Sequence, residues 1–225
     1  MKYKGIIFDL DGTLLDSITD IANAMNSVLG YFGYPKHPVS AYKLYVGDGV
    51  DILVKRALPQ NKNIEKQIIE KCILAYRADY SKRWKENSKL YPGIPELMNI
   101  IQKIGIKTAI LSNKPNDFTN QIVSNFMPQY KFEMVVGSQA EAPKKPDPTQ
   151  ALKIATHFNL SPSEIVFVGD TDTDMITARN AKMYPIGVLW GFRDASELKA
   201  SGAKILLKEP RSFLEFIAKD GIYIN

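Results

Sequence analysis

The chain has 225 residues, 45% of them hydrophobic, enough for one large domain or for a core domain carrying a smaller insertion. Lys and Arg outnumber Asp and Glu by 29 to 24, but the excess is scattered apart from short pairs such as Lys55-Arg56 and Lys144-Lys145. No nucleic-acid partner is therefore expected, because the gathered basic footprint is missing. A lone cysteine, Cys72, excludes a disulfide framework. No apolar run approaches the roughly 20 residues of a membrane helix, so no membrane partner is expected either.

In chain order, Met1 to Lys4 lead without a secretory leader into the apolar stretch Gly5-Ile6-Ile7-Phe8, which predicts a buried strand in a reducing cytoplasm. From residue 17 to about 90 the periodicity is helical. Ser17 and Asp20 read as a capping pair, and Ile18, Ile21, Ala22, Met25 and Leu29 make one apolar stripe. Further helices are expected over 39–45, 50–58 and 64–84, with Cys72 filling an apolar helix face. This interval is too long for a crossover loop. It reads as an all-helical cap, 17–89, inserted into a core made of 1–16 and 90–225.

Beyond the insertion, strands and helices alternate. Ile94, Leu97, Ile101 and Ile104 predict a helix behind Pro92-Gly93, and 107–111 and 133–136 predict strands. Asp147 reads as an N-cap with Pro148 in the first helical position, followed by Ala151, Ile154, Ala155 and Phe158. Strands follow at 165–168 and 184–188, with a weaker one at 203–207, and Phe213, Leu214 and Ile217 mark a closing helix. Solidly apolar strands of this kind imply a parallel sheet covered on both faces. The expected class is α/β, a Rossmann-like parallel sheet with ligands at the carboxyl ends of its strands.

The chemistry gathers at those ends. Asp9-Leu10-Asp11-Gly12-Thr13 follows the first strand, and alternation points Asp9 and Asp11 broadly the same way. Two converging carboxylates repel, and a divalent cation offsets the repulsion directly. The plain alternative is a loop in which acids and glycine end a strand. The second strand ends in Ser112-Asn113-Lys114, where a hydroxyl can donate to a phosphate oxygen. Lys145 precedes Pro146-Asp147-Pro148, which restricts its backbone, and its ammonium can bridge a carboxylate and a phosphoryl group. The fourth strand ends in Gly169-Asp170-Thr171-Asp172-Thr173-Asp174. Asp170 can complete a metal site with Asp9 and the Asp11 backbone carbonyl, Asp174 can orient water or Lys145 from behind, and Asp172 faces solvent or caps a helix. An all-oxygen set suits Mg2+ rather than zinc. His37 and His157 have no matching ligand partners.

Together these segments resemble the haloacid dehalogenase superfamily of phosphohydrolases, and within it the phosphoglycolate phosphatase group. The resemblance rests on Asp9-Leu-Asp-Gly-Thr-Leu-Leu-Asp-Ser17, Ser112, Lys145 and Gly169-Asp170-x-x-x-Asp174. Tyr91-Pro92-Gly93, Lys145-Pro146-x-Pro148 and Gly187-Val188-Leu189-Trp190-Gly191 add support. It implies a Mg2+-dependent phosphatase in which Asp9 attacks phosphorus and Asp11 protonates the leaving alcohol, then deprotonates water. Ser112 and Lys145 stabilise the equatorial oxygens, with Thr13 and Asn113 among the substrate-binding side chains. Family dehalogenases need no acid at the place of Asp11, so its presence favours phosphate esters.

In the cap, the resemblance lets Arg56 or Lys55 receive a substrate anion beside Gly47 and Gly49. The competing reading has these glycines separating two helices, with both basic residues on a wet face. The implied partner is a small phosphorylated metabolite, 2-phosphoglycolate first, for a monomer or homodimer. A pyrophosphatase, nucleotidase, phosphomutase or non-catalytic metabolite-binding protein are the alternatives.

Overall fold

In the computed structural model, residues 3–60 and 63–219 are described. In chain order the elements are β1 (Gly5–Phe8), β2 (Leu15–Asp16), α1 (Ile18–Tyr31), α2 (Val39–Tyr45), α3 (Val50–Ala57), α4 (Lys66–Arg83), β3 (Lys89–Leu90), α5 (Ile94–Lys103), β4 (Lys107–Pro115) and α6 (Asn116–Phe126). They continue with β5 (Met134–Ser138), α7 (Thr149–Phe158), β6 (Ile165–Gly169), α8 (Asp172–Asn180), β7 (Tyr184–Val188), α9 (Ala195–Ala200), β8 (Ile205–Leu207) and α10 (Arg211–Lys219). The chain forms two compact units, one of residues Met1–Leu15 with Leu90–Asn225 and one of Asp16–Lys89. The two crossings pair with each other as the short β2–β3 ribbon.

Among the described residues the first unit holds a six-stranded sheet in the order β5-β4-β1-β6-β7-β8, with every neighbouring pair parallel. This is the Rossmann-like α/β core that the alternation implied. All four residues of β1 are buried, and alternate side chains serve opposite faces. Ile7 joins Ala109, Leu111, Phe167 and the α7 residues Ala151, Ile154 and Phe158 in one cluster. Phe8 points the other way, its ring 6.2 Å from that of Phe213 on α10. Full burial of such side chains stabilises the fold by about 1.5–3 kcal/mol each. The strand order reverses beside β1, with β4 on one side and β6 on the other, and an open sheet of this type leaves its ligand crevice at such a reversal.

The second unit holds helices α1–α4. Its apolar stripe is buried as expected, including Ile18, Ile21, Ala22, Met25 and Leu29 on α1, and Cys72 on α4 is buried too. Burial pushes the Cys72 thiol above its ordinary pKa, which keeps it inert.

Two capping expectations are corrected. Asp20 does not cap α1: its buried carboxylate accepts from the backbone and side chains of Asn87 and Ser88, at 2.7–3.0 Å. Four donors from the returning chain outcompete a local cap. Pro148 is itself the N-cap of α7, and Asp147 acts from one residue further out by accepting from the Thr149 amide at 2.8 Å. No helix among the described residues is long and apolar enough to cross a membrane.

Candidate active site

The site starts from backbone geometry. The Asp9 amide, one residue beyond the last paired position of β1, still donates to the Val168 carbonyl of β6 at 2.9 Å. That holds the Asp9 side chain at the carboxyl end of the sheet. The chain then folds tightly, with the amides of Leu14 and Leu15 both donating to the Leu10 carbonyl. Gly12 sits here with φ of +87°, and a Cβ at this position would run into the Asp170 carboxylate. Glycine is required on both counts.

Asp9, Asp170 and Asp174 are all buried, and each offers a carboxylate oxygen within 4.8 Å of the others. Three carboxylates this close can hold a divalent cation, and a set made only of oxygen atoms fits a hard ion. Lys145 supplies the protein's own positive charge. Its Nζ donates to Asp9 Oδ1 at 2.8 Å and to Asp174 Oδ1 at 2.6 Å. Burial lifts the Asp9 carboxyl most strongly and Asp174 lifts it further, against the pull of Lys145, and the result is pushed up to about 7. Burial likewise lifts Asp170 well above the usual carboxylate range, aided by Asp9 and Asp174, while the Phe192 amide and Thr13 hydroxyl work against it. For Lys145, burial pulls the pKa down, but Asp174 and Asp9 outweigh it and hold the ammonium above its ordinary value. One ammonium thus leaves the carboxylates short of positive charge, which is the condition a dication relieves.

The expected residues differ in burial and in partners. Asp9 and Asp11 keep 9% and 10% of their side chains exposed, whereas Asp170 and Asp174 are fully buried. Asp174 Oδ2 accepts from the amide and hydroxyl of Thr171, at 3.0 and 2.8 Å, in a capping box that starts α8. Asp172 is the first residue of that helix and not its cap.

The Asp11 carboxylate lies outside the three-acid group, because Lys114 holds it, Nζ standing 3.0 and 2.9 Å from its two oxygens. Ser112 is buried on β4, and its Oγ accepts from the Lys114 amide at 3.2 Å, which leaves its hydroxyl proton to donate.

Three residues expected at the substrate have protein partners of their own. The Thr13 hydroxyl donates to Asp170 Oδ1 at 3.0 Å, which commits its single proton to that carboxylate. Asn113 clamps the backbone of Lys145, with its Nδ2 donating to the Lys145 carbonyl and its Oδ1 accepting from the Lys145 amide, both at 2.9 Å. Arg56 lies in the helical unit, where it pairs with Asp48 at 2.6 Å and donates to the Tyr45 carbonyl at 3.2 Å. A guanidinium so paired braces its own turn.

Two functional contacts escaped the sequence reading. Lys114 was visible only as the end of a strand, although strand alternation places positions 112 and 114 on one side. The Phe192 amide, 2.8 Å from Asp170 Oδ2, carried no signal at all, since any residue type supplies an amide.

The chain is 30% identical over 204 residues to the phosphoglycolate phosphatase of Psychrobacter arcticus, covering 88% of this chain and 89% of that one. It is 31% identical over 219 residues to the phosphoglycolate phosphatase of Vibrio parahaemolyticus, covering 96% of each. A crystal structure from Lactobacillus delbrueckii superposes with a TM-score of 0.89 at 27% identity, over 96% of this chain and 99% of that one. Residues 6–188 match the haloacid dehalogenase-like hydrolases, and the chain belongs to that family.

Proposed function

We propose that this phosphoric monoester hydrolase acts on small phosphate monoesters, 2-phosphoglycolate foremost, through a phosphorylated Asp9 and with Mg2+ as its metal. The observation that carries the reading is the approach of Asp9, Asp170 and Asp174 within 4.8 Å, with Lys145 shared between Asp9 and Asp174. The names of the similar phosphoglycolate phosphatases support the choice of substrate.

Lys145 and Ser112 bind the phosphoryl oxygens and turn phosphorus toward the Asp9 carboxylate. An Asp9 oxygen attacks phosphorus, forming one P–O bond as the ester P–O bond breaks, and Asp11 gives its proton to the departing alkoxide. Asp11 then takes a proton from water, whose oxygen attacks phosphorus and releases the Asp9 carboxylate and inorganic phosphate. Asp9, Asp170 and the Asp11 backbone carbonyl would hold Mg2+, with Asp174 fixing Lys145 from behind. When bound, the ion supplies positive charge against the phosphate oxygens.

Steady-state phosphate release from a panel of monoesters tests the reading. Activity is expected to require added Mg2+, to vanish with chelator and to fall by at least about 10³-fold in Asp9→Asn. Wild-type turnover by Asp9→Asn would overturn it.

A further inference from the structure

Lys114 is a second buried ammonium of the core unit, and it pairs with Asp11. Its side chain is 5% exposed, and its Nζ stands 3.0 and 2.9 Å from the two oxygens of Asp11. On the reading above, Asp11 must come within hydrogen-bond reach of the oxygen that leaves with the alcohol, about 3 Å. Whatever the leaving group carries next to that oxygen is thereby brought beside Lys114. Lys145 is held between Asp9 and Asp174, on the phosphoryl side of the ester, so the two lysines meet opposite ends of the substrate. β4 fixes this arrangement. Ser112 and Lys114 lie two residues apart, and the Lys114 amide donates to Ser112 Oγ, which ties the phosphate-side hydroxyl to the lysine's own backbone.

The geometry points to Lys114 as the specificity-determining residue for the leaving group, selecting phosphate esters whose alcohol bears a negative charge close to the bridging oxygen. A carboxylate one carbon away from that oxygen falls within the lysine's reach, and a neutral hydroxymethyl group there gains little. In a site shielded from water the difference between the two is large. Lys114 has a positioning effect as well, because it orients Asp11, and the test must separate the two effects.

The inference rests on the hydrolase reading, so the experiment compares two esters that share the phosphoryl group, 2-phosphoglycolate and 2-hydroxyethyl phosphate. Wild-type kcat/KM is expected to favour the charged ester by at least about tenfold. Lys114→Met lowers both rates by loosening Asp11, but the loss on 2-phosphoglycolate exceeds the other by about tenfold or more, much of it in KM. Lys114→Arg restores the preference for charge. Glycolate is expected to inhibit the wild type and to lose that inhibition in Lys114→Met.

Equal losses on the two esters would reduce Lys114 to an anchor for Asp11 and overturn the proposal. If Lys114→Met fails to fold, the wild-type preference and the glycolate inhibition still decide it, since a wild type blind to charge overturns it alone. A wild type inactive on every monoester overturns the hydrolase reading and this inference together.

Discussion

Lys145 stands where two carboxylates would otherwise face each other, 2.8 Å from Asp9 and 2.6 Å from Asp174. Its position is set less by its own side chain than by Asn113, which pairs with both its amide and its carbonyl. An ammonium on a flexible stem makes a sharp contact only if its backbone is fixed, so Asn113 acts as a positioning residue through Lys145. Asn113→Ala is expected to lower kcat by about 10- to 100-fold while KM for the phosphate ester changes much less, because a small misplacement of a charge-stabilising group acts on the transition state. Steady-state kinetics check this, and an unchanged kcat would contradict it. Thr13 works in the same indirect way, its hydroxyl holding Asp170 while the neighbouring Gly12 lets that carboxylate approach the turn.

At the scale of elements, strands end where the chemistry begins. β1 could be read because four apolar residues stop at an acid, and α1 to α4 because apolar residues recur at helical spacing. The weak strand expected over 203–207 forms as β8 over Ile205–Leu207. β4 outruns its apolar segment, continuing through Ser112, Asn113 and Lys114 to Pro115 with a shift in register after Leu111, and polar residues carry no strand signal. The contacts made there were equally hidden, since Lys114 meets Asp11 across 103 positions and Thr13 meets Asp170 across 157. Local periodicity cannot report pairings of that span.

Asp20 is the same lesson in the helical unit. Read as a local cap, it instead gathers the backbone and side chains of Asn87 and Ser88 and ties α1 to the chain that leaves α4. Asp20→Ala leaves the Asn87 and Ser88 amides without their acceptor and is expected to cost about 2–3 kcal/mol of stability. Urea denaturation measures it, and a change below about 0.5 kcal/mol, the usual range for a surface substitution, would contradict the account.

For the molecule as a whole, the buried acids couple metal binding to pH and stability. Burial pushes the Asp9 carboxyl up to about 7 in the folded protein from the ordinary 3.8, and Asp170 is raised as well. The metal-free fold therefore binds more protons than the unfolded chain between these values. The contribution of Asp9 to stability is present below about pH 4 and is lost as pH rises through about 7. Mg2+ competes with those protons for the same oxygens, so its binding tightens over the same window. At one fixed Mg2+ concentration the rise in Tm is expected to be larger at pH 8 than at pH 5, and a thermal shift independent of pH would contradict this. Quenching the wild-type enzyme with acid during turnover, reducing with borohydride and sequencing the peptides by mass spectrometry locates the side chain that carries the phosphoryl group. Homoserine is expected at position 9, absent without substrate and absent in Asp9→Asn. Homoserine at another aspartate during full turnover would contradict that assignment.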